Sequence, residues 1–376
     1  MKKINFINKK CTGCEACENI CPSQAIKMEE DEEGFLYPKI DLKKCIECNL
    51  CDEVCPIDRS ENKNVDFFVV QNKNVEQRKK SQSGGLFSAI AEVILKKDGI
   101  CYGAAVDEKF KVKQIRVDNI ENLYKLQGSK YVQSSVGLTY QQVKNDLKKN
   151  KLVLYSGTSC MIAGLIRYLN YSKVKLENLF TCDFICHGVP SPKIWKENIK
   201  KQEQKYGKLK KVSFRDKKFG WHSHMESYQF DGKNIVYENY YTELFYTHAI
   251  LRKCCYNCEY LEVEKKQADI TMADFWGIKT EKVEIYDDNT GISLAVIHSQ
   301  KALELLKNSE LYILNVNRNI ALKNNMTNFA KEPSWRENFW KDYKIKGYKK
   351  CLKKYTTYGG TIFKIKRKIL KILKRW

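Results

Sequence analysis

The chain has 376 residues, a formal net charge of +22 and sixteen cysteines. That length leaves room for two or three domains of ~100–200 residues each. No stretch approaches the ~20 apolar residues of a membrane span, and the opening Met1-Lys-Lys-Ile-Asn-Phe reads as no secretory signal. So many cysteines without an export signal point to a reducing cytosol, where thiolates bind metal rather than pair as disulfides. Thirteen Lys/Arg and no acid fall from Lys344 to Trp376, more than half of the net charge. The charge is therefore a tail property, and no specific nucleic-acid partner is required of the whole protein.

The first 58 residues repeat one pattern: Cys11, Cys14, Cys17, Cys21–Pro22, then Cys45, Cys48, Cys51, Cys55–Pro56. The spacing C-x2-C-x2-C-x3-C-P is the signature of a bacterial-type ferredoxin domain with two 4Fe–4S clusters, in which the fourth cysteine of each run crosses to the other cluster. Cys11, Cys14, Cys17 and Cys55 are thus assigned to one cluster, and Cys45, Cys48, Cys51 and Cys21 to the second. Zinc sites and disulfide frameworks also use CxxC pairs, but neither explains a repeated run of four ending in proline. Metal ligation supplies much of the folding free energy of so small a module. Between the runs, Glu29-Glu30-Asp31-Glu32-Glu33 suits a solvated hairpin edge or a surface that orients a redox partner.

Residues 59–80 are polar, with one strand candidate at 67–70, and read as a linker. From there strands are predicted at 100–106, 112–117, 152–155, 179–185, 212–215, 225–230 and 292–298. Helices are predicted at 86–97, 136–149, 161–169, 192–205, 240–250 and 300–307. The alternation marks an α/β mixed-sheet domain. The expected organisation is an α+β ferredoxin-like module (1–58), a linker (59–80), an α/β domain (81–343) and a basic amphipathic tail (344–376).

Within the α/β domain, Ser83-Gly84-Gly85 precedes a helix, and Ser156-Gly157-Thr158-Ser159 lies between a strand and a helix. Small residues there leave backbone N–H groups free for a phosphate, although an ordinary helix N-cap uses the same residues. Cys160, Cys186, Cys255 and Cys258 are either ligands gathered from distant positions or buried thiols. In the tail, Ile362, Ile365, Ile369, Ile372 and Trp376 line up opposite a Lys/Arg face. That is the pattern of a short helix lying in an anionic membrane interface, too short and too charged to span; a docked helix and a nucleic-acid contact are the alternatives.

The stretches Ser81-Gln-Ser-Gly-Gly-Leu-Phe-Ser-Ala, Gln127-Gly-Ser-Lys-Tyr-Val-Gln-Ser, Tyr155-Ser-Gly-Thr-Ser-Cys and Asp183-Phe-Ile-Cys-His-Gly-Val-Pro-Ser-Pro follow one another, then Phe214-Arg-Asp-Lys, Cys255-Tyr-Asn-Cys and Asp269-Ile-Thr-Met-Ala-Asp-Phe-Trp-Gly. Together they resemble the coenzyme F420 hydrogenase/dehydrogenase beta-subunit family. Its members look like FAD-dependent oxidoreductases that also hold a 4Fe–4S cluster, many of them behind an N-terminal ferredoxin module. The resemblance implies a third 4Fe–4S cluster on Cys160, Cys186, Cys255 and Cys258. It implies FAD held by Ser83, Gly84, Gly85, Gln127, Gly128, Ser129, Lys130, Ser156, Gly157 and Thr158.

His187 and Asp274 become the catalytic candidates, against simpler roles as a hydrogen-bonding histidine and a turn residue; Asp269 has the same two readings. The implied partners are a ferredoxin or other redox protein and an organic substrate or coenzyme F420, with either direction of electron flow. Similar proteins with basic tails look like companions of polysaccharide-synthesis enzymes, which places this chain in the cytoplasm at the inner face of the cell membrane. Three departures stand out: Ser159 and Met161 replace the proline and glutamine of the usual SGTPCQ, and Cys254 is a rival to Cys255. Cys101, Cys182 and Cys351 are left as spare thiols, and His222 and His224 as loop residues or substrate contacts.

Overall fold

Each cysteine run bends through left-handed backbone before a short helix. Glu15 caps the helix Ala16–Ile20 and Asn49 caps the helix Leu50–Glu53, both at φ 58°. Strands β1 (Ile26–Glu30) and β2 (Leu36–Ile40) form the antiparallel hairpin between the runs. The computed structural model describes residues 9–59, 62–276, 285–323, 325, 328 and 330–358.

The remaining strands are β3 (Asp66–Asn72), β4 (Ile100–Val106), β5 (Val112–Val117), β6 (Val153–Ser156), β7 (Leu179–Phe184), β8 (Leu209–Ser213), β9 (Glu226–Phe230), β10 (Ile235–Glu238), β11 (Ile270–Asp274), β12 (Ser293–Ile297) and β13 (Leu311–Val316). Eight of them make one mixed sheet in the order β13-β3-β12-β11-β7-β6-β4-β5. β11, β7, β6 and β4 run parallel, with antiparallel partners on both sides. Successive side chains face opposite sides of a sheet. Leu154 and Cys101 therefore pack with the helices Leu86–Leu95 and Gln300–Lys307, while Val153, Tyr155, Ile100 and Tyr102 pack with the helices Thr139–Lys148 and Ser159–Tyr171. Ala16 and Val54 of the ferredoxin module join that second cluster, so the module is seated on the sheet's own core. A second sheet, β10-β9-β8, packs with the helices Pro192–Tyr206, Arg336–Lys346 and Tyr348–Tyr355.

Several expectations change. Residues 59–80 are not a mere linker: β3 pairs with both β12 and β13, because the run Phe67-Phe-Val-Val70 is apolar enough to enter the sheet. β11, noticed in sequence only as a motif, is an interior strand. The strand expected at 212–215 ends at Ser213, and the helix expected to reach residue 250 ends at Tyr246, before His248 at φ 66°.

The stretch from Lys344 to Tyr358 belongs to the folded body. Tyr348, Cys351 and Leu352 are buried in the core that the sheet β10-β9-β8 shares with its helices, and Asp342 pairs with both Lys346 and Lys354. The amphipathic pattern from Ile362 to Trp376 lies outside the described residues. Among the described residues no helix is long and apolar enough to cross a membrane.

The acidic insert is a solvated hairpin edge at Glu29, Glu30, Asp31 and Glu32, yet it is also tied to the body. Arg336 grips the Glu33 carboxylate with both terminal nitrogens, and Lys344 reaches Glu32.

Candidate functional site

A cavity of about 400 Å³ opens at the carboxyl ends of β6, β7 and β11, the place where open α/β sheets receive ligands. The helix Leu86–Leu95 begins at its wall, with Gly85 as N-cap at φ 83°. Gly84 does not line the cavity. A Cβ there would stand 2.6 Å from the Ser293 nitrogen, so Gly84 serves the close packing of the turn on β12. The other residues expected to hold FAD, namely Ser83, Gly85, Gln127, Gly128, Ser129, Lys130, Ser156, Gly157 and Thr158, all line this cavity, as do His187 and Asp274.

Some of these groups are already engaged. The Ser83 hydroxyl donates to the Ile292 carbonyl, and the Gln127 amide donates to Gln77 and Ser88. Others are open. The Gln82 Nε2 and Gln114 Oε1 atoms, both on the wall, are buried and have no hydrogen-bond partner among the described residues, which suits a polar ligand. Lys130 donates to the carbonyls of Lys125 and Gln127, and among the described residues no carboxylate pairs with it. Burial pulls its ammonium down to about 7.

The two catalytic candidates are more committed than the sequence suggested. Asp274 forms an ion pair with Arg215 at 2.8 Å and accepts from the Trp221 indole at 3.2 Å. His187 Nε2 lies 2.7 Å from His248 Nε2, and burial draws its pKa down to about 4. Asp269 is structural: it accepts from Thr181 and Ser299, binding β7 to the segment after β12. His222 pairs with Asp287, while His224 lines the cavity beside Tyr246. Ser159 takes the Lys266 ammonium at 2.5 Å, and Met161 packs its sulfur against Gln114 and Ser134.

A second cavity, of about 590 Å³, is lined by Cys160, Cys186, Cys254, Cys255 and Cys258. Cys160, Cys186, Cys255 and Cys258 act on one another electrostatically. Burial, aided by these neighbours, pushes the Cys160, Cys186 and Cys258 thiols up to about 12. The Gly188 and Val189 amides point at Cys186 and Cys255 sulfurs, at 3.4 and 3.5 Å. Buried thiols with inward amide donors fit a cationic iron core, which requires thiolates and draws hydrogen bonds to sulfur. Cys254 interacts with Cys255 and Arg252.

In the N-terminal module, Cys11, Cys14, Cys17 and Cys55 likewise form one interacting set, and Cys14 also feels Cys160. Cys51, Cys21 and Cys55 meet in a small core with Ile26 and Ile57; Cys45 is half-buried and Cys48 exposed. Among the described residues no group of three His, Cys, Asp or Glu is placed to hold a single metal ion. Cys101, Cys182 and Cys351 are buried away from these sets.

Sequence reasoning gave no role to Gln82, Gln114, Arg215, Lys266 or Arg252. Lys266 and Arg252 are 1% and 0% exposed. Gln82 and Arg215 stood inside the quoted stretches Ser81-Gln-Ser-Gly-Gly and Phe214-Arg-Asp-Lys, and that was the signal available.

Comparison with known proteins finds two matching regions. Residues 10–58 match the 4Fe-4S dicluster domain, and residues 150–315 match the C-terminal region of coenzyme F420 hydrogenase/dehydrogenase, beta subunit. No curated protein matches the chain. Among solved structures it is similar to a chain of the xenon-derivatised F420-reducing NiFe hydrogenase complex from Methanosarcina barkeri, at 17% identity and a TM-score of 0.46, over 80% of this chain and 96% of that one. The two matches mark the chain as an iron–sulfur protein of electron transfer, with a 4Fe–4S dicluster domain ahead of a region similar to the C terminus of the coenzyme F420 hydrogenase/dehydrogenase beta subunit.

Proposed function

We propose that the protein is an iron–sulfur flavoprotein oxidoreductase, passing electrons between 4Fe–4S clusters and FAD in exchange with an organic substrate or a coenzyme F420-like hydride partner. The observation that carries this reading is a shared wall: Thr158, Ile185, Cys186, Gly188 and Val189 line both cavities. A third cluster on Cys160, Cys186, Cys255 and Cys258 then abuts a flavin in the cavity at the strand ends. Bound there, the clusters supply single-electron exchange, and the flavin converts it to hydride exchange with an organic partner.

The chain's own residues do the rest. Gln82, Gln114 and Lys130 offer polar groups to the cofactor. Phe245, Tyr246 and Trp276 supply apolar wall that limits water. Asp274 fixes the Arg215 guanidinium at the cavity, and His187 shares one proton between its Nε2 and that of His248. Both act by positioning rather than as free acids or bases. The outer ferredoxin half, where Leu42, Ile46 and Cys48 are all exposed, is the port for a redox partner.

Anaerobically purified protein is expected to hold about twelve irons, one 4Fe–4S cube per four ligands, and one flavin. About eight irons without flavin would leave the other reading, a non-catalytic relay that docks to a partner enzyme. Reduction of bound flavin by F420H2 but not by reduced ferredoxin gives the direction of flow. A place at the membrane, beside lipid-linked polysaccharide synthesis, predicts that full-length protein co-sediments with anionic vesicles and a form ending at Tyr358 does not; equal sedimentation sinks it.

A further inference from the structure

Arg252 is fully buried, and among the described residues no carboxylate stands within ion-pair distance of its guanidinium. Glu15, an acid that feels its charge, is bonded instead to the Val136 and Gly137 amides. The guanidinium is held by neutral groups. Its Nε donates to the Cys11 carbonyl at 2.7 Å, Nη1 to Gln133 Oε1 at 3.1 Å and Nη2 to the Leu36 carbonyl at 2.8 Å. It also lies 4.1 Å from the Tyr37 ring centroid. Nη2 further reaches Cys11 Sγ at 3.5 Å.

A buried cation without a counter-charge is costly. The thiols that act on it belong to both cysteine sets: Cys11 of the first, and Cys255 of the other with its neighbour Cys254. The main chain of the same residue begins the turn Lys253–Asn257, and its carbonyl accepts from the Cys255 amide.

We propose that Arg252 is a positioning and tuning residue placed between two clusters, its guanidinium raising the reduction potential of the cluster held by Cys11, Cys14, Cys17 and Cys55. A cluster ligated by four thiolates carries net negative charge, and reduction adds one more. A fixed cation at the sulfur stabilises the reduced form, since charge and hydrogen bonds to sulfur set cluster potentials. Arg252 keeps its proton at any working pH, so the bias is permanent. It favours residence of an electron on the inner ferredoxin cluster, next to the following acceptor. This rests on the cluster assignments proposed above.

The test is an anaerobic redox titration of the holoprotein followed by electron paramagnetic resonance. Arg252→Gln is expected to lower the midpoint potential of the inner cluster; Arg252→Lys, which keeps the charge, lowers it less. Unchanged potentials in an Arg252→Gln protein with wild-type iron content overturn the proposal. Should Arg252→Gln fail to assemble its clusters, pulsed resonance on reduced wild-type protein grown with 15N-guanidinium arginine decides. A nitrogen coupling at the inner cluster supports the contact with Cys11 sulfur, and its absence overturns it. A wild-type content of about eight irons would remove the third cluster and leave the Arg252 measurement at the inner cluster intact.

Discussion

The two cysteine runs are nearly interchangeable on paper and opposite in the fold. Around the first, Cys11, Gly13, Glu15, Ala16 and Asn19 are all buried against the larger domain; around the second, Leu42 is 78% and Ile46 63% exposed. Local backbone is repeated even so, with Gly13 at φ 70° and Glu47 at φ 57° in equivalent places. The difference in residue follows from what lies outside each run. A Cβ on Gly13 would stand 2.6 Å from the Gln133 amide and 2.8 Å from the Arg252 guanidinium, whereas Glu47 projects into solvent. A duplicated motif thus has an inner and an outer end, because one half is covered and the other left open.

The largest effect is expected at the far end of the covered half. Cys255→Ser should remove a whole cluster, lowering iron by about four per chain, while Cys254→Ser keeps the wild-type iron content; equal loss in both would reverse the assignment. Next comes exchange between the halves. Gly13→Glu should destabilise the protein by about 2–4 kcal/mol through clash and left-handed strain, whereas Glu47→Gly stays within about 0.5 kcal/mol. Thermal or denaturant unfolding of the two variants reads this directly, and similar losses would erase the distinction drawn here.

A smaller effect concerns Lys130, at the inner end of the relay. Its ammonium is depressed to about 7, so affinity for FAD should be full below that pH and fall above it as the cation is lost. The fall is about tenfold, the worth of one charge-assisted bond of ~1.5 kcal/mol, and Lys130→Gln should flatten the profile. Flavin-free protein should gain stability over the same rise, because the unfolded chain keeps this proton up to the ordinary lysine range and so binds more protons than the folded one. The smallest effect is at the open half: Ile46→Ser should leave stability within about 0.5 kcal/mol and slow reduction by ferredoxin a few-fold. No change in that rate would place the port elsewhere.

Local signals carried much of this protein. The double cysteine run is a covalent pattern whose ligand spacing needs no long-range information, and the strands at 100–106 and 112–117 have the bounds that their apolar runs suggest. The glycine and serine turns that line the cavity at the strand ends were legible because a turn between strand and helix is itself local.

What the chain could not disclose by itself was which side each element faces and what meets it there. Phe67–Val70 is apolar in either setting, and only pairing with β12 and β13 makes it sheet rather than linker. The acids at Glu32 and Glu33 are charged in either setting, and only Arg336 and Lys344, some three hundred residues away, make them a dock. Spacing alone decided that eight cysteines suit two clusters; tertiary burial decided that one of them faces inward. The physical reason is that ligand geometry is set over a few bonds, whereas burial and charge pairing depend on groups that only folding brings within reach.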